Sequence, residues 1–215
     1  MKSIPLVRHF LTFTAIAGLV AGCASDNYNK SAKTATALAE SSATIEKSKA
    51  LIDQSLADLN DLVSNPNPDL RKQYQRFNET MSELGASDRD VAGKAEAMKT
   101  QGSNYFAGWD KELALIQNED IHNRSEARRN EVAGRFDRMS RQYDEARTAF
   151  GPFMSDLRDV QKSLSTDLTA GGLASIKVPA DKANRDAVPV KESLAKLSTE
   201  FKSLGLSMAP VTPVK

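Results

Sequence analysis

The feature that most constrains the fold is a pair of apolar seams whose members are alternately four and three residues apart. The first seam comprises Leu70, Tyr74, Phe77, Met81, Leu84, Asp88, Val91, Ala95, Met98, Gly102, Tyr105 and Trp109. The second comprises Val132, Phe136, Met139, Tyr143, Ala146, Phe150, Phe153, Leu157, Val160 and Leu164. Alternating steps of four and three place side chains on one stripe of a helix, as in coiled coils. The spacing therefore predicts two long helices, at about 68–117 and 121–169.

An outer helix is predicted on each side of this pair. One apolar residue recurs in every heptad at Leu38, Ile45, Ile52 and Leu59, which predicts a helix at about 30–63. Asn67-Pro68-Asp69 has the N-cap, first-turn proline and acid that begin the next helix. A last apolar stripe predicts a helix at about 174–204, and Gly171-Gly172 is expected to cap the helix before it. No segment has a strand pattern, so the expected fold class is all-α.

The two seams also predict how the middle helices pair. The apolar phase is lost around 117–120, which indicates a turn there. An antiparallel hairpin about this turn sets Gly102 against Phe136, Ala95 against Tyr143 and Asp88 against Phe150. Each ring then meets a short residue, as interdigitating layers require. The alternative is one continuous rod, and the complementarity favours the hairpin.

The expected architecture over 30–205 is an elongated antiparallel four-helix bundle from which the coiled-coil hairpin projects as a two-helix stalk. Because the outer helices are predicted to be shorter, they cover only the base of the middle pair. Residues 206–215 contain Pro210 and Pro213 and are expected to form a flexible tail.

Helix-weakening residues cluster at one level of this arrangement. They are Gly85, Gly151, Pro152 and Pro189. A proline inside a helix removes a backbone hydrogen bond and bends the helix. The cluster is either a hinge or a static bend, and the seam keeps its phase through residue 152, which favours a bend in a continuous helix over a break.

The N-terminal segment indicates where the chain resides. Lys2 and Arg8 precede an apolar run from Phe10 to Val20, which is typical of a secretory signal peptide at 1–22. The run is too short to cross a bilayer, which takes about 20 residues. Val20-Ala21-Gly22-Cys23 resembles the bacterial lipobox, in which the cysteine is acylated and becomes the new amino terminus.

Cys23 is therefore the predicted lipidation site, with residues 23–29 as a lipidated linker. An ordinary signal peptide with an incidental cysteine is the alternative. Ala24 follows the cysteine. An aspartate there would suggest retention in the inner membrane, so the outer membrane, on its periplasmic side, is the favoured location.

Composition excludes several function classes. Removal of 1–22 takes away two basic residues and no acid, so the formal charge changes from +1 to −1. A near-neutral chain lacks the basic excess that nucleic-acid binding needs. With Cys23 as the only cysteine and His122 as the only histidine left, no Cys/His metal cluster can form. No phosphate-binding glycine motif is present either, and we expect no cofactor, metal site or small-molecule substrate.

Two segments carry a family resemblance. They are YFAGWDKELALIQNEDIHNRSEARR at 105–129 and PFMSDLRDVQKSLSTDLTAGGLASI at 152–176. Both resemble an uncharacterised family of bacterial coiled-coil lipoproteins, domain-of-unknown-function family 2959, and the resemblance covers nearly all of the mature chain. It implies a helical envelope protein with no assigned activity, and it offers no catalytic residues.

The hairpin tip is the candidate interaction site. Its candidate residues are Tyr105, Phe106, Trp109, Arg124, Arg128 and Arg129. A short linker after Cys23 would hold this tip near the membrane, where aromatic rings favour the interface and arginines can bind phosphates. Alternatively, the rings pack the seam and the arginines form surface ion pairs. Only Phe106 is expected to lie off the seam.

Two function classes fit these sequence features. The first is a non-enzymatic, membrane-tethered helical scaffold that binds an envelope protein or itself. The second is a binding module for cell-wall polymer or lipid head groups at the hairpin tip. An enzyme is not expected, because acids such as Glu119 and Asp120 on an exposed helix end are usually solvated charge, and no pocket-forming fold is indicated.

Overall fold

The computed structural model describes residues 21–209, with side chains from Tyr28 onward. It contains four helices, α1 (Ala21–Ser64), α2 (Arg71–Leu113), α3 (Glu119–Thr166) and α4 (Ala170–Met208). Residues 21–209 form no strand, so the all-α fold class is confirmed. Residues 1–20 of the predicted signal peptide and 210–215 of the predicted tail lie outside the described residues.

The helices form an antiparallel bundle in which each helix packs against two others. α1 lies between α2 and α4, and α3 completes the ring on the far side. The diagonal pairs, α1 with α3 and α2 with α4, do not come into close contact. Short connections join consecutive helices, which is the up-down-up-down arrangement of simple four-helix bundles.

The predicted seams form the core. Every seam residue of α3 and every stripe residue of α4 from Leu173 to Leu204 is buried. The heptad residues Leu38, Ile45, Ile52 and Leu59 of α1 are also fully buried. The first seam, along α2, is less completely buried. Six of its residues are only partly buried: Leu70, Tyr74, Asp88, Val91, Tyr105 and Trp109.

The predicted register of the α2–α3 hairpin is confirmed. A Cβ placed on Gly102 would lie 2.2 Å from Cζ of Phe136, so glycine is what lets this ring fit against the α2 backbone. Asp88, Tyr143 and Phe150 line one small cavity of about 30 Å³ between the helices. Two hydrogen bonds nearer the 65–70 connection keep the same register. Tyr74 Oη donates to the Gln161 carbonyl at 3.1 Å, and the Gln161 side chain donates to Asn78 Oδ1 at 2.8 Å.

Small polar residues fix α1 against its neighbours. The hydroxyls of Ser42 and Ser198 lie 2.9 Å apart between α1 and α4, and those of Ser48 and Ser87 lie 2.7 Å apart between α1 and α2. Because a buried hydroxyl must find a partner, each pair penalises a shifted register. The small side chains also let the α1 backbone approach both neighbours closely.

The N-terminal boundary of α1 differs from the prediction. The helix begins at Ala21 instead of near residue 30, so the expected linker at 23–29 is helical. The physical reason is that no glycine or proline occurs between Cys23 and Ser64, so no residue stops the helix from extending to its N-terminus.

The outer helices are also longer than expected, which shortens the projecting hairpin. α1 has 44 residues and α4 has 39, against 43 in α2 and 48 in α3. The last turn of α4 reaches Arg128, whose Nη2 donates to the Ser207 carbonyl. Only the nine residues of α3 before Arg128, about 13 Å at 1.5 Å per residue, extend past α4. α1 begins at Ala21 and continues beside α2 to this end, so the expected two-helix stalk is wrong: beyond α4 the hairpin is accompanied by α1.

The connections at the opposite end, 65–70 and 167–169, define the proline-turn end. The buried Gln73 side chain organises the first connection by donating to Asp61 Oδ2 and the Asn65 carbonyl while it accepts the Asn67 N–H at 2.9 Å. Asn67 is not the N-cap that we expected, because α2 begins later, at Arg71, whose N–H donates to Asp69.

The second connection corrects the prediction for Gly171-Gly172. α3 ends at Thr166, and the two glycines lie in the first turn of α4. Thr169 is the N-cap, and its hydroxyl accepts the Gly172 N–H at 3.3 Å. A Cβ on Gly172 would lie 2.0 Å from the Asp167 carbonyl oxygen, so this glycine serves a close backbone approach, not a helix cap.

The helix-weakening residues lie inside continuous helices. α2 runs through Gly85, α3 through Gly151 and Pro152, and α4 through Pro189 and a further proline, Pro179. Gly85 and Gly151 have room for a Cβ, so packing does not require glycine at either position. The hinge at this level stays a prediction.

Candidate functional site

The hairpin end comprises residues 105–129 together with the facing ends of α1 and α4, and all four helices meet there. Ser31 of α1 donates to the Met208 carbonyl of α4. Arg128 of α3 donates to the Ser207 carbonyl at 3.1 Å. These bonds bring the ends of α1 and α4 together beside the last turns of α2.

The three predicted aromatic residues form one cluster. Tyr105 packs edge-on against Phe106 and Trp109, with ring centroids 5.4 and 5.5 Å apart. The Trp109 indole N–H donates to Ser125 Oγ at 3.2 Å, which ties α2 to α3. Burial raises the pKa of the Tyr105 phenol, because a charged phenolate would be poorly solvated there. The rings of Tyr105 and Trp109 therefore pack the seam, as the alternative interpretation of the sequence proposed.

Phe106 is less accessible than its predicted off-seam position implied. Its ring packs edge-on against Phe136 at a centroid distance of 5.8 Å. The Arg129 guanidinium lies 5.2 Å from the Phe106 centroid on the other side. These two contacts cover part of the ring, so Phe106 is half-buried.

Two of the three predicted arginines have partners within the chain. Arg129 makes a bidentate ion pair with Asp110, with Nε–Oδ1 and Nη2–Oδ2 distances of 2.8 and 2.9 Å. Arg128 binds Glu131 at 2.7 Å, and this pairing lowers the pKa of Glu131. Their forks are occupied, which corrects the expectation that both are available to phosphates. Arg124 is exposed and has no ion-pair partner among the described residues.

Several backbone donors in and beside the connection between α2 and α3 are satisfied locally. The N–H groups of Ala114, Leu115 and Ile116 donate to carbonyls of the preceding turn at 3.0–3.2 Å. Asn118 is the N-cap of α3, and its Oδ1 accepts the Ile121 N–H at 3.0 Å. Glu119 and Asp120 follow in the first turn, where acids match the helix dipole.

Sequence reasoning missed the apolar side chains on the outside of this end. Leu115 is 69% exposed and Ile121 is 57% exposed, on either side of the connection. Leu206 of α4 is 79% exposed and Tyr28 of α1 is 51% exposed. The available signal was the connection itself, since a turn flanked by Leu115 and Ile121 departs from the polar composition of ordinary turns.

A cleft of about 450 Å³ lies between the facing ends of α1 and α4 on one side and the aromatic cluster on the other. Its walls include Tyr28, Tyr105, Trp109, Arg128 and Met208. Across residues 28–209, no group of three or more His, Cys, Asp or Glu side chains is placed to hold a metal ion. None of the four described helices has a stretch long and apolar enough for a membrane span.

Comparison with known proteins gives one finding. No curated protein and no solved structure matches the chain. A family model described as "Protein of unknown function (DUF2959)" matches residues 26–202, which include most of α1 and α4 and all of α2 and α3. The chain therefore belongs to the DUF2959 family of proteins of unknown function.

Proposed function

We propose that this protein is a non-enzymatic lipoprotein of the bacterial envelope, in which Cys23 carries the acyl chains and the helical bundle serves as a tethered scaffold. The supporting sequence observation is the signal-like segment that ends in Val20-Ala21-Gly22-Cys23. Several acyl chains on one residue give a stable anchor, since each buried methylene contributes about 0.8 kcal/mol. The scaffold would bind another envelope protein or a second copy of itself.

The register of α1 against α2 gives the end of the bundle at which this anchor would lie. Ser48 pairs with Ser87, and Ser31 lies beside Tyr105, so α1 and α2 are antiparallel with residue numbers that add to about 136. Extended along the helical backbone of α1, this register sets Cys23 level with the end of α2 at Leu113. The anchor would then lie at the hairpin end, not at the proline-turn end.

Replacement of the cysteine tests the anchor. Cys23→Ala should abolish labelling with radioactive palmitate, leave the signal segment uncut by the lipoprotein route and move the protein out of the membrane fraction. Ser25→Ala, two residues away, is the control and should leave all three unchanged. A Cys23→Ala variant that still incorporates palmitate would contradict the proposal.

Ala24 tests the location. The absence of aspartate after Cys23 favours the outer membrane, so Ala24→Asp should shift the protein to the inner-membrane fraction of a density gradient. Ala24→Ser is the control. The wild-type protein found only with the inner membrane would contradict the outer-membrane assignment and leave the anchor itself intact.

A second candidate is a binding module for cell-wall polymer or lipid head groups. The observation that favours it is the 450 Å³ cleft, whose walls combine aromatic rings with Arg128. Cross-linking in intact envelopes separates the two candidates, because a scaffold yields protein adducts that persist after lysozyme digestion. Loss of all adducts on digestion would favour the wall-binding module.

A further inference from the structure

The large apolar side chains that the bundle leaves exposed are concentrated at one end. Six such side chains are more than half exposed among residues 28–209. Four of them, Tyr28, Leu115, Ile121 and Leu206, belong to the hairpin end. The other two, Val178 and Val188, are separate positions on α4. Exposed large apolar side chains that are concentrated at one end of a bundle differ from singly scattered ones, and such concentrations commonly mark an interaction site.

Leu115 and Ile121 form the apex of this surface. They flank the connection between α2 and α3, beyond the last contact with α4 at Arg128. The backbone N–H groups of Leu115 and Ile121 are already bonded to the Glu112 carbonyl and to Asn118 Oδ1. Burial in a medium without water would therefore not leave these donors unsatisfied, a condition that membrane contact imposes.

The charged residues around the apex limit how deeply it can enter a membrane, and they determine whether electrostatic attraction contributes to the contact. Glu119 and Asp120 are exposed next to Ile121, and Arg128 and Arg129 are paired with Glu131 and Asp110. Arg124 is exposed without an ion-pair partner among the described residues, but Glu119 and Asp120 outnumber it, so the apex has no net basic patch to attract anionic lipids. The exposed acids also restrict entry to the boundary between head groups and acyl chains, because carboxylates need water.

We infer that the hairpin end lies against the membrane that holds Cys23, with Leu115 and Ile121 in the interface between head groups and acyl chains. The inference rests on the proposed lipid anchor, since the register of α1 against α2 sets Cys23 level with Leu113. The bundle is thus attached at two adjacent points, a covalent lipid and an apolar hairpin apex. Contact is apolar, so it does not depend on anionic lipid.

Labels on the full lipidated protein test the inference directly. Because Cys23 is the only cysteine and is acylated in this form, Leu115→Cys supplies a single free thiol for an environment-sensitive fluorophore. Val178→Cys, at a site 74% exposed on α4, is the matched control. In phosphatidylcholine vesicles that contain nitroxide-labelled lipid, the label at 115 should shift blue and be quenched, and the label at 178 should do neither.

The unlipidated mature chain with Cys23→Ala gives a second readout. We expect it to bind phosphatidylcholine vesicles weakly, and Leu115→Ser with Ile121→Ser should reduce the partition coefficient by about tenfold. Val178→Ser is the control and should change nothing. Binding should not strengthen with phosphatidylglycerol, nor weaken with salt. Circular dichroism should show unchanged helicity, because both apex side chains are exposed.

The outcomes separate the inference from the proposed function. If the lipidated protein stays with the vesicles while labels at 115 and 178 respond alike, the inference is overturned and the anchor stands. If the protein is not acylated, the proposed function fails, and the unlipidated chain still decides the inference through its dependence on Leu115 and Ile121. Binding that requires anionic lipid and disappears with salt would also overturn it, as would an apex that cross-links only to protein.

Discussion

The two ends of the bundle differ in the polarity of the side chains that they expose to water. At the proline-turn end, the buried Gln73 side chain and the exposed Thr169 hydroxyl bind backbone groups of the two connections. Leu59, Leu62 and Phe77 are fully buried there, below an open cleft of about 760 Å³ between the connections. At the hairpin end the aromatic rings are only half-buried, and Leu115 and Ile121 lie outside. One fold thus ends in a water-adapted connection on one side and an apolar one on the other. This contrast is the basis for the proposed membrane contact of the hairpin end.

The strongest contrast in stability is expected between one aromatic residue from each end. Phe77→Ala should lower the free energy of unfolding by about 3–5 kcal/mol, because it leaves a cavity in a closed core. Phe106→Ala should cost about 1 kcal/mol, because its ring is only partly removed from water. Urea denaturation followed by far-UV circular dichroism measures both. Equal losses would mean that the two ends are packed alike.

The tight approach at the proline-turn end gives a second test. Gly172→Ala should destabilise the fold by about 1–3 kcal/mol, because its Cβ would overlap the Asp167 carbonyl oxygen and displace the 167–169 connection. Gly171→Ala is the matched control, since its Cβ would meet only Thr169 Oγ1 at 3.5 Å. Thermal unfolding of the two variants measures the difference. A stable Gly172→Ala protein would refute the close approach.

The connections themselves can be compared through one polar side chain from each. Gln73→Ala should cost about 2 kcal/mol, because it leaves the Asn67 N–H and the Asn65 carbonyl without their buried partner. Asn118→Ala removes a solvent-exposed N-cap and should cost about 1 kcal/mol. Hydrogen exchange at Asn67 and Ile121 would locate each loss. A larger loss of stability in Asn118→Ala than in Gln73→Ala would contradict this comparison.

The weakest effect is the titration of Asp69. Its hydrogen bonds to the Arg71 side chain and N–H lower the pKa of this carboxyl to about 2. A lowered pKa in the folded state stabilises the fold above the ordinary carboxyl pKa, and this contribution is lost as the pH falls through about 2. The group is exposed, so the change in stability is small. NMR titration of the Asp69 carboxyl carbon should show the low midpoint, and Arg71→Ala should raise it.

Periodicity predicted the helices because each apolar stripe must face the core. The position of the turn and the need of Phe136 for a short residue opposite then fixed the register of the hairpin. Boundaries were less predictable. The start of α1 depended on the absence of a stop signal, and Gly171-Gly172 has the composition of a helix cap although Gly172 serves a backbone contact. Composition alone does not distinguish a glycine that caps a helix from a glycine that allows a close backbone contact.

The sequence predicted where the candidate residues lie but not which contacts they make. Tyr105, Phe106, Trp109 and the arginines do converge at the hairpin end. The exposed Leu115 and Ile121 were missed because they lie between the two seams, where no periodicity assigns a side chain to the core or the surface, and because their exposure depends on where α4 ends. The pairing of Arg129 with Asp110 depends on the register of two helices together, which a search for charge along one segment does not reveal.

The proposed orientation sets the hairpin end against the membrane and the proline-turn end away from it. Energy transfer from a donor on the lipidated protein to acceptor lipid head groups distinguishes the two ends, with the donor at Gln117→Cys or at Asn67→Cys. Because the 43 residues of α2 span about 65 Å, this orientation predicts strong transfer from 117 and little from 67. Equal transfer from both positions, or stronger transfer from 67, would contradict it.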